Sequence, residues 1–501
     1  MPESQSTLDS APEPPRALLP DTLRTLYIGE DGHLYLAEGA GRNTSRVTWS
    51  AEDFAIVPGL PPMPGTAGDL EDGHVFAHPT ASADGKRIAV FGLLPTLEEE
   101  LWIYDGVPWE AVEEDFPYLV VESSAAGDEP VPDDVAGAGM VIAIVEEDED
   151  EDDPDDEVED DDLPMYWPGG KVYVVHTDGV QVWEPHEFDD GSPTHLEWAP
   201  DDRHLLVLNQ EDETLQLLLV DAVEPAEPIL LADGAPIFWS WQPHGRRLAL
   251  RIGLPGEDAP LVALCDPLDA PEAGLRGIGV GGSFYVPAWH PDGSAFVFGS
   301  PGEREDEVLL CNPDGERLQS LFSYPGRGAF RWDSSGRRLG VAVAPEGHGA
   351  FQALELIDVG TGAGRTVWHG PFISFEWLGG DRELLICEAD EESGRLRWVI
   401  VDAEGRGSRP AGPSWMPARE SVVALHFFEQ VGSSHPFVSA DGRHVVYAGV
   451  SDDDVLTEGP GEDPRFVSEP TDRSPQILVT PLNGGPTVAI GSGRFGCFST
   501  P

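Results

Sequence analysis

Basic residues are scarce in this sequence. Lys and Arg number 29 in 501 residues, against 92 Asp and Glu, and the formal net charge is −63. Proteins that bind nucleic acid or dock on anionic membranes do so largely by neutralising phosphates and acidic headgroups with basic side chains. The composition therefore excludes nucleic-acid binding and docking on an anionic membrane as main functions.

Cysteine and long apolar runs are also scarce. The four cysteines form no CxxC pair, so we interpret them as buried thiols of a reducing compartment, with neither disulfide nor metal site. The longest apolar run, residues 140–145, is too short to span a bilayer. The first 20 residues lack the cationic start and apolar core of a secretory signal. These features predict a cytoplasmic protein.

The acidity is concentrated in one segment but is not confined to it. Between residues 146 and 162, 15 of 17 residues are Asp or Glu, and such a run repels itself and buries no apolar area. The rest of the chain still carries 77 acidic residues against 29 basic ones. Adaptation to high salt and a GC-rich genome that favours Arg over Lys both explain this composition, and the sequence does not choose between them.

A repeat is the clearest signal in the sequence. An apolar strand ending in Trp is followed by a polar turn, often Pro-Asp-Gly, and then usually by Arg and a second apolar strand. The tryptophans of the five full copies are separated by 43, 48, 43 and 45 residues and are Trp198, Trp241, Trp289, Trp332 and Trp377. We expect these indoles to form a structural core, each wedged against a neighbouring sheet.

Further copies lie outside the Trp-containing series. Residues 81–86 and 438–443 keep the turn without the Trp, and residues 494–501 resemble the first half of the phrase. The missing second half stands near the other end of the chain, at residues 25–49. This split predicts that the C-terminal strand pairs with the N-terminal strands.

Short strands with turn signals every 8–12 residues predict an all-β fold, and the repeat predicts a β-propeller. We predict eight four-stranded blades, with the ring closed by the N-terminal strands and the C-terminal strand. Seven or nine blades remain alternatives, because residues 77–195 are too long for one repeat and could hold an extra blade or an insertion.

The predicted domain organisation is simple. We predict a disordered N-terminal tail at 1–22 and a single propeller domain at 23–501, which contains a disordered acidic loop at 146–163. Residues 50–72 and 452–474, which are polar or rich in Pro and Gly and show no strand pattern, are expected to be mobile loops as well.

The repeat resembles the WD-repeat-like phrase of TolB-like β-propellers. The stretch from Phe427-Phe428-Glu429-Gln430 through Ser434-His435 to Tyr447-Ala448-Gly449 resembles the last blade of these bacterial proteins. The resemblance covers about residues 23–501. It implies a propeller that binds proteins or small ligands without chemistry.

Catalytic motifs are missing. No GxSxG nucleophile elbow is present, and residues 186–190 begin like HExxH but lack the second His. Residues 277–282 match GxGxxG, but a strand follows them instead of a helix, so we interpret them as a flexible loop. We therefore predict no catalytic residue, no metal site and no cofactor.

Polar residues just before a repeat Trp are the candidates for a binding site in the channel or on the loop face: Glu197, Arg331 and Glu376, together with His435. Arg331 and Glu376 belong to adjacent repeats and could pair. Purely structural links between blades explain the same residues.

We therefore predict a non-catalytic scaffold, monomeric, that binds a protein or peptide partner through its loop face or central channel. A basic partner suits its charge. The alternative is an enzyme, a lyase or hydrolase, that uses the channel carboxylates and histidines.

Overall fold

The structure, a computed structural model, describes the following residues: 19–20, 22–41, 43–48, 75–93, 170–177, 182–188, 191–211, 214–224, 226–257, 259–390, 393–453, 455–457, 465–467 and 474–499. The strands among them are, in chain order, β1 (Arg24–Gly29), β2 (Leu34–Glu38), β3 (Asn43–Arg46), β4 (Val75–Ala81), β5 (Arg87–Leu93), β6 (Gly170–His176), β7 (Val182–Phe188), β8 (Ser192–Trp198), β9 (His204–Glu211), β10 (Thr214–Asp221), β11 (Ile229–Gly234), β12 (Ile237–Trp241), β13 (Leu248–Ile252), β14 (Leu261–Cys265), β15 (Arg276–Val280), β16 (Ala288–Trp289), β17 (Phe296–Ser300), β18 (Asp306–Cys311), β19 (Arg317–Tyr324), β20 (Arg327–Trp332), β21 (Arg338–Ala344), β22 (Phe351–Asp358), β23 (Ala363–Trp377), β24 (Glu383–Asp390), β25 (Arg395–Asp402), β26 (Ser408–Pro417), β27 (His444–Ser451), β28 (Val455–Thr457), β29 (Arg465–Val467), β30 (Gln476–Pro481) and β31 (Val488–Phe498). Two helices, α1 (Arg419–His426) and α2 (Phe428–Ser434), and a 3-10 turn at Pro271–Ala273 complete the described elements. The all-β class predicted from the sequence is confirmed.

The strands form sheets that are antiparallel except where β28 pairs with β31, and most chain neighbours are sheet neighbours. Strands β4–β7, β8–β11, β12–β15 and β16–β19 each make a separate four-stranded sheet, and the other strands belong to one larger sheet. The first strand of each repeat ends at the repeat Trp, and the polar turn follows. At one such turn the Asp333 carboxylate accepts the backbone N–H groups of Arg337 and Arg338, and Gly336 has a φ of 67°, a conformation that favours glycine.

The long gap in the repeat falls inside one sheet. Strands β5 and β6 are hydrogen-bonded neighbours, with Ala89 opposite Val174. Residues 94–169 therefore lie between the second and third strands of the β4–β7 sheet, as an insertion does. The apolar run at 140–145 and the acidic segment at 146–163 fall outside the described residues, as do residues 1–18 and 50–72.

The two ends of the described chain share a sheet. The second half of β31 pairs antiparallel with β1, with Thr25 opposite Phe498 and Tyr27 opposite Gly496. The first half of β31 pairs with β30. This is the strand pairing that the split repeat predicts.

Apolar side chains pack each sheet against the next. Phe91 of β5 and Leu196 of β8 belong to one buried cluster, and Leu217 of β10 and Trp239 of β12 belong to another. Burial of such side chains, at about 25 cal/mol per Å², is the main stabilising contribution. The core is therefore a series of layers between sheets.

The helices were missed by the sequence analysis. The stretch that resembles the last blade of TolB-like proteins begins at Phe427, and its first part, Phe428–Ser434, is helix α2. The segment from 418 to 434 lacks the alternation of apolar and polar residues that defines a strand, and it buries Ala424, Leu425, Phe428 and Val431. Neither described helix is long and apolar enough to cross a membrane.

Two loop predictions are wrong. Segment 452–474 contains β28 and β29, which pair with each other, with Leu456 opposite Phe466. The GxGxxG segment lies mostly in β15, which pairs with β14, because glycines are tolerated at an edge strand when the backbone itself makes the hydrogen bonds.

Candidate functional site

The repeat tryptophans link the first strands of successive sheets. The indole Nε1–H of a repeat Trp donates to a backbone carbonyl on the first strand of the preceding unit. The pairs are Trp198 to Thr80 at 3.0 Å, Trp289 to Ser240 at 3.1 Å, Trp332 to Ala288 at 3.0 Å and Trp377 to Arg331 at 3.1 Å. Trp241 differs, since its Nε1 is buried without a hydrogen-bond partner among the described residues.

Helix α2 lies between these first strands and bonds to several of them. The backbone N–H of Trp239 donates to Gln430 Oε1 at 2.9 Å, and that of Phe330 donates to Glu429 Oε1 at 3.1 Å. Thr80 Oγ1 donates to the Ser434 carbonyl at 2.9 Å. The helix thus satisfies inward-facing groups of three sheets at once, which fixes its position.

Glu197 accepts one hydrogen bond from the next sheet and one from α2. Its Oε2 accepts the Trp239 indole N–H at 2.6 Å, and its Oε1 accepts the Ser433 hydroxyl at 3.0 Å. Burial raises the pKa of Glu197 to about 7, although these two hydrogen bonds oppose the shift. The Glu197 carboxyl group therefore holds its proton to a much higher pH than an exposed glutamate does.

Arg331 and Glu376 form an ion pair between adjacent first strands. Arg331 Nε lies 3.2 Å from Glu376 Oε2, and Arg331 Nη2 donates to the Phe428 carbonyl at 2.6 Å. The guanidinium carbon also stacks 5.3 Å from the centre of the Phe428 ring. Arg331 therefore ties two sheets to α2.

His435 follows α2 and is fully buried. Its Nδ1 lies 2.7 Å from Ser434 Oγ, which also lies 3.2 Å from His195 Nε2. The ring centres of His435, His195 and His78 are 5.6–6.4 Å apart. Burial lowers the pKa of His435 to about 3 and that of His78 to about 4, so these rings are neutral at pH 7.

Of the four candidate residues, only Arg331 and Glu376 are in direct contact among the interactions of the described residues. Glu197 contacts Ser433 of α2, and His435 contacts Ser434. The described residues contain no group of three or more His, Cys, Asp or Glu arranged to hold a metal ion.

Two clefts open where the first strands end. A 280 Å³ cleft is lined by Glu197, Trp198 and Ser434, among others, and a 440 Å³ cleft by Arg331 and Glu376, among others. Pro436, which follows α2, borders both of them. We call the two together the turn-side mouth, because residues of the repeat turns surround it.

Sequence reasoning missed the polar residues that α2 contributes. Glu429, Gln430, Ser433 and Ser434 all contact the first strands of the sheets, as described above. A usable signal was present: four polar side chains stand within a short segment that matches neither the strand alternation nor the repeat turn.

Comparisons with known proteins give matches among solved structures alone. A scan against family models and a search of curated proteins gave no match. Solved structures do match the chain. TolB from Acinetobacter baumannii is 15% identical over 48% of this chain and 60% of its own, with a TM-score of 0.34. Dihydro-heme d1 dehydrogenase NirN in complex with DHE is 12% identical over 98% of this chain and 78% of its own, with a TM-score of 0.49.

Oligogalacturonate lyase from Vibrio parahaemolyticus is 14% identical over 47% of this chain and 74% of its own, with a TM-score of 0.35. The TolB-like resemblance of the repeat therefore has counterparts among solved structures. Because the matched proteins include enzymes and are this distant, they give no information on activity.

Proposed function

We propose that this chain is a non-catalytic β-propeller scaffold that binds a protein or peptide partner at the turn-side mouth. The proposed ring has eight four-stranded units. Four of them are the separate sheets. The larger sheet supplies four more when it is divided at three places: within β23, between β26 and β27, and within β31. Residues 437–438 then serve as the first strand beside β27.

Packing supports closure of the ring. Successive buried clusters join each proposed unit to the next along the chain, and one further cluster joins the last unit to the first. In that cluster Ile28 and Leu34 of the β1–β2 hairpin pack with Ile88 and Tyr173 of the β5–β6 hairpin. A chain of contacts that returns to its start leaves no unit with an uncovered face.

The observation that carries the proposal is the pairing of the polar groups in the mouth. Both oxygens of Glu197 accept hydrogen bonds, and Arg331 is shared between Glu376 and the backbone of α2. Polar groups that already bond within the protein in this way hold the first strands and α2 together. Residues of α2 line both clefts and close the mouth on its inner side. The mouth is therefore suited to receive a segment that enters from outside.

The partner that fits this mouth is basic. Asp202 and Asp381 line its two clefts without an ion pair in the described part of the chain, and the whole chain carries a net charge of −63. Opposite charges at a rim accelerate association and make it sensitive to salt. The clefts, at 280 and 440 Å³, have room for individual side chains of a partner.

Binding to an array of peptides rich in Lys and Arg tests the proposal. We expect the wild-type protein to bind a subset of them at low salt and to lose that binding as salt rises. The double variant Asp202→Asn and Asp381→Asn should bind several-fold more weakly. The matched control is Glu272→Gln with Glu346→Gln, two exposed acids away from the mouth, which makes the same change in charge.

Two results would contradict the proposal. One is that the wild-type protein binds none of the basic peptides at low salt. The other is that the control variant loses as much binding as the mouth variant, because the total charge would then account for the effect.

One observation favours the alternative of a hydrolase. Ser434 Oγ lies within hydrogen-bond distance of two histidines and borders the same cleft as Glu197. The lowered pKa of His435, about 3, makes it a weak base at neutral pH, so we rank this function second. Covalent labelling of Ser434 by a fluorophosphonate probe, absent in Ser434→Ala, would support the hydrolase and overturn the scaffold.

A further inference from the structure

Arg251 lies at the end of the molecule opposite to the turn-side mouth. On β13 it pairs with Phe238, near the start of β12, whereas Trp241 at the other end of β12 borders the mouth. The side chain is buried, with 8% of its surface exposed. Its guanidinium carbon stacks 5.5 Å from the centre of the Phe284 ring.

Two of the three guanidinium nitrogens of this side chain are unsatisfied within the described residues. Arg251 Nε and Nη1 are buried and have no hydrogen-bond partner among the described residues. Twelve other arginines of the described chain form ion pairs with carboxylates. Leaving a buried charged group without a partner costs free energy that even a weak partner would reduce. A chain with 92 acidic residues would be expected to pair this arginine, yet the described residues do not.

A second arginine has an unsatisfied N–H nearby in the fold. Arg327 stacks 4.8 Å from the ring centre of Tyr285, the residue after Phe284, and 4.6 Å from that of Phe351. Its Nη2 donates to the Gly349 carbonyl at 2.7 Å, but its Nη1 is buried without a partner. Two stacked guanidiniums with free N–H groups thus approach the aromatic pair Phe284 and Tyr285.

Two carboxyl groups, Glu429 and Asp306, lie close enough to Arg251 to attract its charge, but neither contacts it directly. Glu429 uses Oε1 to accept the Phe330 backbone N–H, and Asp306 accepts that of Ser283. Neither forms an ion pair with Arg251 in the described part of the chain. Burial raises the pKa of Glu429 to about 8, against the effect of three nearby arginines, so at neutral pH most of this group is protonated and uncharged.

We propose that Arg251 and Arg327 form a binding site for a small oxyanion, a carboxylate or a phosphate group, at the end of the molecule opposite to the turn-side mouth. The planar fork of a guanidinium presents N–H groups in the spacing that matches two oxygens of a carboxylate or phosphate. Stacking on Phe284 and Tyr285 holds the two forks in place before the ligand arrives. An oxyanion would satisfy the buried N–H groups that have no partner in the described part of the chain.

Titration of the full-length protein with inorganic phosphate, acetate and chloride at constant ionic strength tests the site. We expect either phosphate or acetate to bind saturably in calorimetry and to raise Tm, while chloride does neither, and the effective anion identifies the source of the oxyanion. Arg251→Met should weaken that binding roughly 10- to 100-fold, the value expected for losing hydrogen bonds to a charged group. The matched control Arg246→Met removes an exposed, ion-paired arginine five positions away and should leave the affinity unchanged.

A second measurement does not depend on how the variant folds. In the wild-type protein, the NMR signal of the buried arginine Nε–H, assigned by its loss in Arg251→Lys, should shift with the same concentration dependence as the calorimetric signal. The proposal is overturned if neither phosphate nor acetate binds saturably. It is also overturned if binding is equal in Arg251→Met and in the wild type, or if the Arg251 signal stays unchanged while the anion binds elsewhere.

Discussion

The first strands of the sheets and the helix between them satisfy their polar groups in different ways. On the strands one contact recurs, in which the indole N–H of a repeat Trp donates to the carbonyl of the preceding unit. Along α2 the contacts come from different residue types: the Gln430 amide oxygen accepts the Trp239 backbone N–H, the Glu429 carboxyl group accepts that of Phe330, and the Ser434 carbonyl accepts the Thr80 hydroxyl.

The difference shows what a repeat can encode. A contact that recurs in every unit leaves a periodic trace in the sequence. A contact made once, between a helix and strands about 100 to 350 residues away in the chain, leaves none. The contacts between the first strands of successive sheets can therefore be predicted from the sequence, whereas the contacts of α2 with those strands cannot.

Among the changes to the strands, removal of residues 494–501 should lower the stability of the protein most. Much of the β31 pairing with β1 would be lost, and so would the buried side chains Phe495, Cys497 and Phe498. Each large apolar side chain contributes about 1.5–3 kcal/mol when buried, a sizeable share of a typical total stability of about 5–15 kcal/mol. We expect a strong drop in Tm and rapid proteolysis.

Limited proteolysis and thermal unfolding measure that effect. Removal of residues 1–18, which precede the described strands, serves as the control and should leave Tm nearly unchanged. A C-terminal truncation that unfolds at the wild-type temperature would show that the pairing between the two chain ends contributes little.

Glu429→Gln tests the contacts of α2 through the pH dependence of stability. Because the pKa of Glu429 is raised to about 8 in the folded protein, from an ordinary value of 4.5, the folded state binds more protons between these values. The contribution of Glu429 to the free energy of unfolding is therefore full below about pH 4.5 and is lost as pH rises toward 8. Glutamine keeps the acceptor for the Phe330 N–H and does not ionise.

The variant should consequently gain stability relative to the wild type as pH rises from 5 to 8, by up to a few kcal/mol. Urea unfolding at several pH values measures this difference. The exposed Glu346→Gln is the matched control and should run parallel to the wild type. Parallel curves for Glu429→Gln as well would contradict the assignment of a protonated Glu429.

Trp377→Phe and Trp241→Phe compare two members of the repeat, with the smallest expected effect. Both changes remove an indole, but only that of Trp377 donates a hydrogen bond, to the Arg331 carbonyl. Since Trp241 Nε1 has no partner in the described residues, its removal costs packing alone. We expect Trp377→Phe to cost about 1 kcal/mol more free energy of unfolding than Trp241→Phe. Equal losses in chemical denaturation would show that the indole hydrogen bonds add nothing to the packing.

Part of the candidate site followed from the sequence. The position before the repeat Trp identified Arg331 and Glu376 as residues of adjacent units, and these two side chains do pair. The same position identified Glu197, but its partners Trp239 and Ser433 could not be inferred, because one lies two residues before a repeat Trp and the other on an unexpected helix. Arg251 carried no signal, since an arginine in a strand is usually exposed and nothing in the local sequence marks this one as buried.

The sequence alone determined the all-β class, the repeat and the pairing of the two chain ends, because periodic apolar strands and turns specify local structure wherever they occur. Tertiary structure alone decided that residues 419–434 form helices between the first strands, that Glu197 and Glu429 are buried beside them, and that Arg251 Nε and Nη1 have no hydrogen-bond partner among the described residues. The physical reason is burial: the pKa and the hydrogen bonding of a polar side chain depend on which distant groups surround it, and no local pattern records those neighbours.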